Sequence, residues 1–414
     1  MLFATIAAGG GHVATARAMA EAVEEASAGR LRARVADAMA EYGAADLDRR
    51  HKRAWRQMLA RPTLVRLGQR LTDALPVVTR TLHNALLDGF AETVARTLNE
   101  DPPRLVVANH GWLATAFTRA KTRFGLLPPV VIFATEPFDA SALWSTPRAA
   151  TVLAPSAAAR SDLIGLGVPA DNVHVAGYPV ARRFRQAPSK REARSRLNLR
   201  DSFTCLLSLG AEGVTGTGSG AKAGDDAVSA VRALLGAGVD VIAISGRNED
   251  LMARLLAVAG REPLSDTEHD PSRGQLQVHG FADNMDLLLA AADIVAGKAG
   301  PASTMEALAV GRPVLAAAYA GLNERAVIRF LQSFGLGGYS DGFAGLPAMA
   351  SAWRDSERLS QAASVAAELD FDAVANGLGK FLCAAADRRP LDPEAQLAPG
   401  LFAEVTRRRL QGAR

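Results

Sequence analysis

Short apolar runs alternate along this chain with longer stretches in which apolar residues recur at helical spacing. Residues 2–6, Leu-Phe-Ala-Thr-Ile, form the first run. It ends in Ala-Ala-Gly-Gly-Gly-His12, after which Ala14, Ala18 and Val23 follow at helical spacing, so the segment reads as strand, glycine turn, helix. Further runs at 31–35, 105–108, 130–134, 151–153 and 173–175 predict more strands. Strands separated by helices of this length imply a parallel sheet with right-handed crossovers. Around 182–202 the pattern lapses into Arg-Arg-Phe-Arg-Gln-Ala-Pro-Ser-Lys-Arg, charged and without an apolar period, which places a domain boundary there. Strand-like runs resume at 203–209, 239–244, 276–278, 294–296 and 313–317. The expected organisation is α/β: two Rossmann-like doubly wound domains, 1–185 and 186–375, facing across a cleft. A helical segment follows, 376–414, with the first domain as its candidate packing partner.

Composition narrows the class. The 414 residues carry 47 Lys+Arg against 43 Asp+Glu, a net charge of +4, with 49% hydrophobic and 22% charged residues. That is enough apolar material for two cores, and it argues against a disordered chain or a disulfide scaffold. The longest stretch free of Asp, Glu, Lys and Arg is residues 1–16, which holds three glycines and His12 and suits no membrane span. It also lacks the positive start of a signal peptide, so an intracellular location is expected. Cys205 and Cys383 lie in separate apolar runs and read as buried thiols.

Three glycine-rich turns follow strands. Gly9-x-Gly11-x-x-Ala14, with Asp37 further on, fits a dinucleotide fingerprint, in which glycines bring bare backbone N–H groups and a helix dipole against an anion. His12 at that helix start is either functional or a capping and solvent residue. The second turn runs from Ser208 through Gly210, Glu212, Gly213, Gly216 and Gly218 to Gly220; it reads as a loop closing over phosphate or as a plain surface loop. It lacks the Gly-Lys-Ser/Thr of a P-loop. The third, Ala296-Gly-Lys298-Ala-Gly300-Pro301-Ala-Ser303-Thr304-Met-Glu306, sets hydroxyls at a helix start and a carboxylate one turn in. Those residues suit phosphate and ribose, or else Ser303 and Glu306 form a capping box. Lys298 is one of only six lysines among the 47 basic residues.

An ordered set of motifs carries a resemblance: Gly9-Gly10-Gly11-His12, Ser245-Gly246-Arg247-Asn248, His279-Gly-Phe281-Ala-Asp-Asn-Met285, and Lys298-Ala-Gly300-Pro301 with Glu306-Ala-Leu. Between them stand Trp144, Ala154-Pro-Ser156, Val175-Ala-Gly177-Tyr-Pro179 and Phe184. Over roughly residues 2–335 the chain resembles the monogalactosyldiacylglycerol synthase and diacylglycerol glucosyltransferase group of glycosyltransferase family 28. The resemblance implies a GT-B fold and an inverting hexosyltransferase that takes a UDP-sugar as co-substrate, without metal or bound cofactor. The acceptor it implies is a lipid hydroxyl, on the cytoplasmic face of a membrane.

By the same resemblance His12 is the base, and Gly9, Gly10 and Gly11 form the acceptor-side loop. Gly300, Pro301, Ser303 and Thr304 hold the diphosphate and Glu306 the ribose. Phe281 and Met285 lie by the uracil, and Arg247, beside Gly246 and Asn248, is a cation near the diphosphate. Gly210, Glu212 and Lys298 complete the donor side, and Asn323-Glu324 stands where the family has Gln-Glu on the sugar hydroxyls. Glu136 replaces the family's Asp and is a second acid/base candidate or the cap of a turn. The short Asp-x-Asp patterns at 46–48 and 370–372 are read as solvated faces rather than metal ligands.

Residues 49–72 hold eight Lys/Arg and no acid. With Arg49, Arg50, Lys52, Arg53 and Arg56 around Trp55, this is a candidate docking segment for an anionic membrane surface, or else a solvated arginine face. Nucleic acid is not expected, because the segment lacks aromatic interleaving and a fold signature. Two other functions stay open: an NAD(P)-dependent oxidoreductase using the first glycine turn, and a catalytically silent nucleotide-sugar or lipid-binding protein.

Overall fold

The computed structural model describes every residue except 8–9, 60–61, 147, 150, 211–212, 214–220, 260–272 and 412–414. The chain forms two compact units. The first comprises Met1–Gln57, Arg66–Arg182 and Glu368–Arg414, the second Met58–Val65 and Arg183–Ala367. No helix among the described residues is long and apolar enough to cross a membrane.

The first unit is built on six parallel strands: β1 (Leu2–Thr5), β2 (Arg34–Asp37), β3 (Val106–Ala108), β4 (Val130–Phe133), β5 (Val152–Ala154) and β6 (Val173–Val175), in the order β2-β1-β3-β4-β5-β6. Its central strands are buried on both faces, as continuous apolar runs require in a parallel sheet covered by helices. Expected at 31–35, β2 begins three residues later. Leu31 is buried in the approach to the strand, and pairing starts where Arg34 meets Leu2 on the sheet edge, where a polar residue is tolerated.

The terminal segment belongs to this unit. The helix Phe371–Ala386 is apolar on nearly every side and largely buried. It crosses the helix Gly10–Ala26 so closely that a Cβ on Gly379 would lie 2.3 Å from the Ala22 carbonyl oxygen.

The second unit repeats the plan with β7 (Thr204–Ser208), β8 (Asp240–Ile244), β9 (Leu276–His279), β10 (Ile294–Lys298), β11 (Val314–Ala318) and β12 (Gly337–Tyr339), ordered β12-β11-β10-β7-β8-β9. Strand β12 is not foreshadowed by the sequence, since Gly-Gly-Tyr has no alternation. Its pairing rests on close backbone approach, a Cβ on Gly337 falling 1.9 Å from the Val314 oxygen. Where β10 passes β7, Gly297 has φ +143° and a Cβ there would sit 2.0 Å from the Ser208 oxygen, so the strand can run through that point only as glycine.

In each sheet the winding reverses once, between β1 and β3 in the first and between β7 and β10 in the second. At such a point the loops leaving the carboxyl ends of adjacent strands diverge and open a crevice. The turns leading to His12 and His110 leave β1 and β3; the turns holding Gly210 and Gly300 leave β7 and β10.

Candidate active site

In the first unit His12 lies in the first turn of the helix Gly10–Ala26, inside the helix rather than at its cap. Its Nδ1 is 2.9 Å from the carbonyl oxygen of Asn109 and 3.1 Å from Thr135 Oγ1. The Asn109 amide returns a 2.6 Å bond to the His12 carbonyl. A carbonyl oxygen can only accept, so Nδ1 carries the hydrogen and Nε2 holds the lone pair. Burial pushes the imidazole down to about 4, helped by the charge of His51 and opposed by the Asn109 carbonyl. His12 is therefore a neutral proton acceptor at working pH, well below the ordinary histidine value that sequence alone implies. Gly10 and Gly11 form the start of the same helix, while Gly9 lies outside the described residues.

Beside it stands a residue that sequence reasoning passed over. His110 caps the helix Gly111–Arg123, its Nδ1 accepting from Trp112 N–H at 3.2 Å. The His110 ring centroid is 4.7 Å from that of His12 and 5.6 Å from that of His51, and His51 and His83 both pack on Trp112. Burial, then the charges of His12, His51 and His83, hold His110 well below the usual imidazole range. The available signal was Asn-His-Gly-Trp directly after a strand, at a switch point visible only once strand order is known.

Glu136 follows Thr135 but does not join His12. Near the charges of Asp139 and Asp73, it takes a hydrogen bond from the Trp144 side chain and is pushed up to about 8 by burial and by the Asp139 charge. Asp37, the ribose candidate of the dinucleotide reading, pairs with Lys52 at the end of β2, which takes up that carboxylate. Lys52 also reaches Asp48 at 2.7 Å, so it is a bridging cation within the domain rather than a free membrane contact. Asp48 is buried, not on a solvated face. Arg49 pairs with Asp46, Arg50 and Arg53 are exposed, and Trp55 is half-buried; the Arg56 side chain lies outside the described residues.

A different surface stands out among the described residues. Leu64, Leu67 and Leu71 on the helix Pro62–Ala74 are exposed, and so are Leu75 and then Val78, Leu82 and Leu86 on the helix Pro76–Glu100. The spacing of three and four residues puts each set on one helical face. So many large apolar side chains exposed along two consecutive helices are not ordinary solvent surface. The sequence reading stopped at the arginines because hydrophobic spacing predicts a buried face as readily as an exposed one.

In the second unit the helix Pro301–Ala309 starts at Pro301, with Gly300 as N-cap. Ser303 is thus the third residue of the helix, bonded to the Gly300 carbonyl, and the capping-box alternative with Glu306 is not formed. Ser303 is exposed at the turn, whereas Thr304 is buried, its hydroxyl without a hydrogen-bond partner among the described residues. Burial pushes Glu306 up to about 7, against the pull of the Arg183 charge. Lys298 meets the buried Glu324 at 2.6 Å, and Glu324 also accepts from the Ala320 N–H at 2.5 Å; Asn323 is the half-buried residue before it.

Arg247 lies over the exposed Phe281 ring, 4.4 Å from its centroid. Met285 opens the helix Met285–Ala291. The Asn248 side chain accepts from the Leu251 N–H through its oxygen and donates its amide to the Gly213 carbonyl, which ties the start of its helix to the turn after β7. In that loop Gly210 has φ +76°, and Glu212 lies outside the described residues.

With this geometry in hand, residues 214–322 match the Glycosyltransferase family 28 C-terminal domain. The chain is 26% identical over 338 residues to a probable monogalactosyldiacylglycerol synthase, chloroplastic, of Nicotiana tabacum, covering 80% of this chain and 60% of that relative. Among solved structures, a protein assigned as a UDP-N-acetylglucosamine 2-epimerase from Listeria monocytogenes superposes with a TM-score of 0.58. It is 13% identical, over 94% of this chain and 98% of that one. WaaG, a glycosyltransferase involved in lipopolysaccharide biosynthesis, gives a TM-score of 0.53 at 13% identity, over 92% and 98%. The solved structures share a two-domain α/β fold of the GT-B class with this chain, and its second unit matches the family 28 C-terminal domain over residues 214–322. The resemblance read from the motifs is to the same group.

Glu136 yields a test. A carboxyl whose folded value is raised binds its proton more tightly folded than unfolded, so stability falls as pH rises from the unfolded value toward about 8. Glu136→Gln should leave the melting temperature unchanged at pH 5 and raise it at pH 8.5; thermal melts at both pH values check this.

Proposed function

We propose that this protein is an inverting glycosyltransferase that moves a hexose from a UDP-sugar to a hydroxyl of a diacylglycerol-type or related glycolipid acceptor. It would act as a peripheral protein on the cytoplasmic face of a membrane. The observation that carries the reading is the neutral His12, whose Nε2 is unpartnered among the described residues, in a chain whose second unit matches a family 28 domain.

In the step envisaged, His12 Nε2 takes the acceptor hydroxyl's proton as that oxygen bonds to the anomeric carbon. The bond from that carbon to the diphosphate oxygen breaks, and its electron pair leaves with UDP. The N-terminus of the helix Pro301–Ala309, opened by Gly300 and Pro301, meets the growing charge with free N–H groups, and Ser303 adds a hydroxyl. Glu306 suits the ribose hydroxyls, and the exposed Phe281, steadied by Arg247, offers a face to a base. The Lys298–Glu324 pair sets a carboxylate for sugar hydroxyls.

For the membrane, the exposed Leu67, Leu71, Leu75, Val78, Leu82 and Leu86 supply insertion and the exposed Arg50, Arg53 and Arg70 supply attraction to anionic headgroups. The oxidoreductase alternative would use Asp37, one of whose two carboxylate oxygens Lys52 already engages. The chain spans less than two thirds of its tobacco relative, and the acceptor is proposed on these residues and that similarity together.

Four outcomes are expected. With UDP-galactose or UDP-glucose and dioleoylglycerol, His12→Ala should lose about 10²–10⁴-fold in turnover while UDP still raises its melting temperature. Glu306→Ala should lose the UDP-induced shift, and a wild-type shift with NAD but not UDP would overturn the reading. At saturating donor, where Glu306 is already engaged, the acceptor kcat/KM should fall as pH drops through about 4, where His12 becomes protonated, and not near 6.5. Replacing Leu67, Leu71 and Leu82 together by Asp should abolish sedimentation with phosphatidylglycerol vesicles and leave UDP binding intact.

A further inference from the structure

His12 and His110 have opposite nitrogen commitments. The Asn109 carbonyl fixes the hydrogen of His12 on Nδ1, leaving a lone pair on Nε2. The Trp112 N–H occupies the lone pair of His110 Nδ1, leaving the hydrogen on Nε2. Among the described residues neither Nε2 has a hydrogen-bond partner, and the ring centroids are 4.7 Å apart. That spacing permits one atom to sit at ~2.7–3.0 Å from both nitrogens.

Only some atoms satisfy such a pair. An oxygen that gives up one hydrogen and accepts another through a lone pair does so, which describes an alcohol. An ionised phosphate or carboxylate oxygen has no hydrogen for His12 Nε2, and a protonated amine has no lone pair for His110.

We propose that His110 orients the acceptor, its Nε2–H donating to the same hydroxyl oxygen whose proton His12 removes, and that the site thereby selects a neutral alcohol over an anionic oxygen. This rests on the transferase reading above. The step keeps its balance: the hydroxyl hydrogen passes to His12 Nε2, the oxygen bonds to the anomeric carbon, the diphosphate leaves with the electron pair, and His110 keeps its proton throughout. Burial and the surrounding imidazoles hold His110 neutral, so it serves as a donor and not as a competing cation. The bond aims the oxygen's remaining lone pair, and a misaimed nucleophile costs rate even when donor and base are in place.

His110 is also the N-cap of the helix Gly111–Arg123, and two variants separate the roles. His110→Asn keeps an acceptor near the Nδ1 position, a favoured cap, and has no donor where Nε2–H was. His110→Gln reaches the Nε2 position with an amide N–H and gives up the short cap. With dioleoylglycerol in phosphatidylglycerol vesicles, His110→Asn should lose ~10–100-fold in acceptor kcat/KM with its UDP-induced melting shift and donor KM unchanged. His110→Gln should recover most of that loss. Wild-type rates in His110→Asn, or equal losses in both variants, would overturn the proposal in favour of capping or packing.

A second measurement needs no variant: the wild type should glycosylate dioleoylglycerol and leave dioleoyl phosphatidic acid untouched, and transfer to the phosphate oxygen would refute the selection. If the wild type transfers to no lipid, the transferase reading itself fails. If it transfers and His110→Asn matches it, only the role of His110 fails.

Discussion

A parallel strand must be followed by a crossover that carries the chain back to the same end of the sheet. When successive crossovers lie on opposite sides, the loops at the carboxyl ends of two neighbouring strands are pulled apart. Each sheet of this protein has one such pair, β1 with β3 and β7 with β10. The separation decides which side chains can meet a ligand. It brings His12 from the first glycine turn against Asn109 and His110 from a turn nearly a hundred residues later. In the second sheet the equivalent turns carry the Gly210 loop and the Gly300 turn, with Gly297 allowing the two strands to pass at a distance no other residue permits.

Around these crevices the titratable groups are tuned mainly by burial, and burial acts with opposite sign on bases and acids. It keeps the imidazoles of His12 and His110 uncharged, one as acceptor and one as donor, because each has a nitrogen already bonded to backbone. It raises Glu306 to about 7 and Glu136 to about 8, so one environment favours neutral forms of both. Where full charge persists in buried or half-buried places it is paired, as in Lys52 with Asp37 and Asp48, and Lys298 with Glu324. These pairs take some residues out of ligand binding: Lys52 and Asp37 tie two elements of the first domain together.

The likeness to a monogalactosyldiacylglycerol synthase, the exposed leucines of the helices Pro62–Ala74 and Pro76–Glu100 and the neutral imidazole pair are separate observations, and the proposed acceptor, an uncharged lipid hydroxyl, rests on the three together. The fold does not discriminate here, since it is shared by a glycosyltransferase and a protein assigned as an epimerase. The reaction class rests on the side chains at the switch points and on the family 28 domain.

Local signals carried a large part of this in the sequence. Apolar runs and glycine turns determine the strands, the parallel class and the three turns, because these depend on neighbouring residues and on backbone freedom. The strand β12, with no side-chain pattern of its own, was out of reach, and so was the true start of β2, set by its pairing with β1. The roles of single polar residues were legible only as alternatives. Whether Glu306 caps a helix depends on where that helix begins; whether Thr304 faces a ligand depends on which side of it is buried. The His12–His110 pair and the exposure of Leu64 to Leu86 belong wholly to tertiary structure. A sequence states which residues are adjacent in the chain and which are apolar, but strand order decides which distant turns meet, and packing decides which apolar faces are left uncovered.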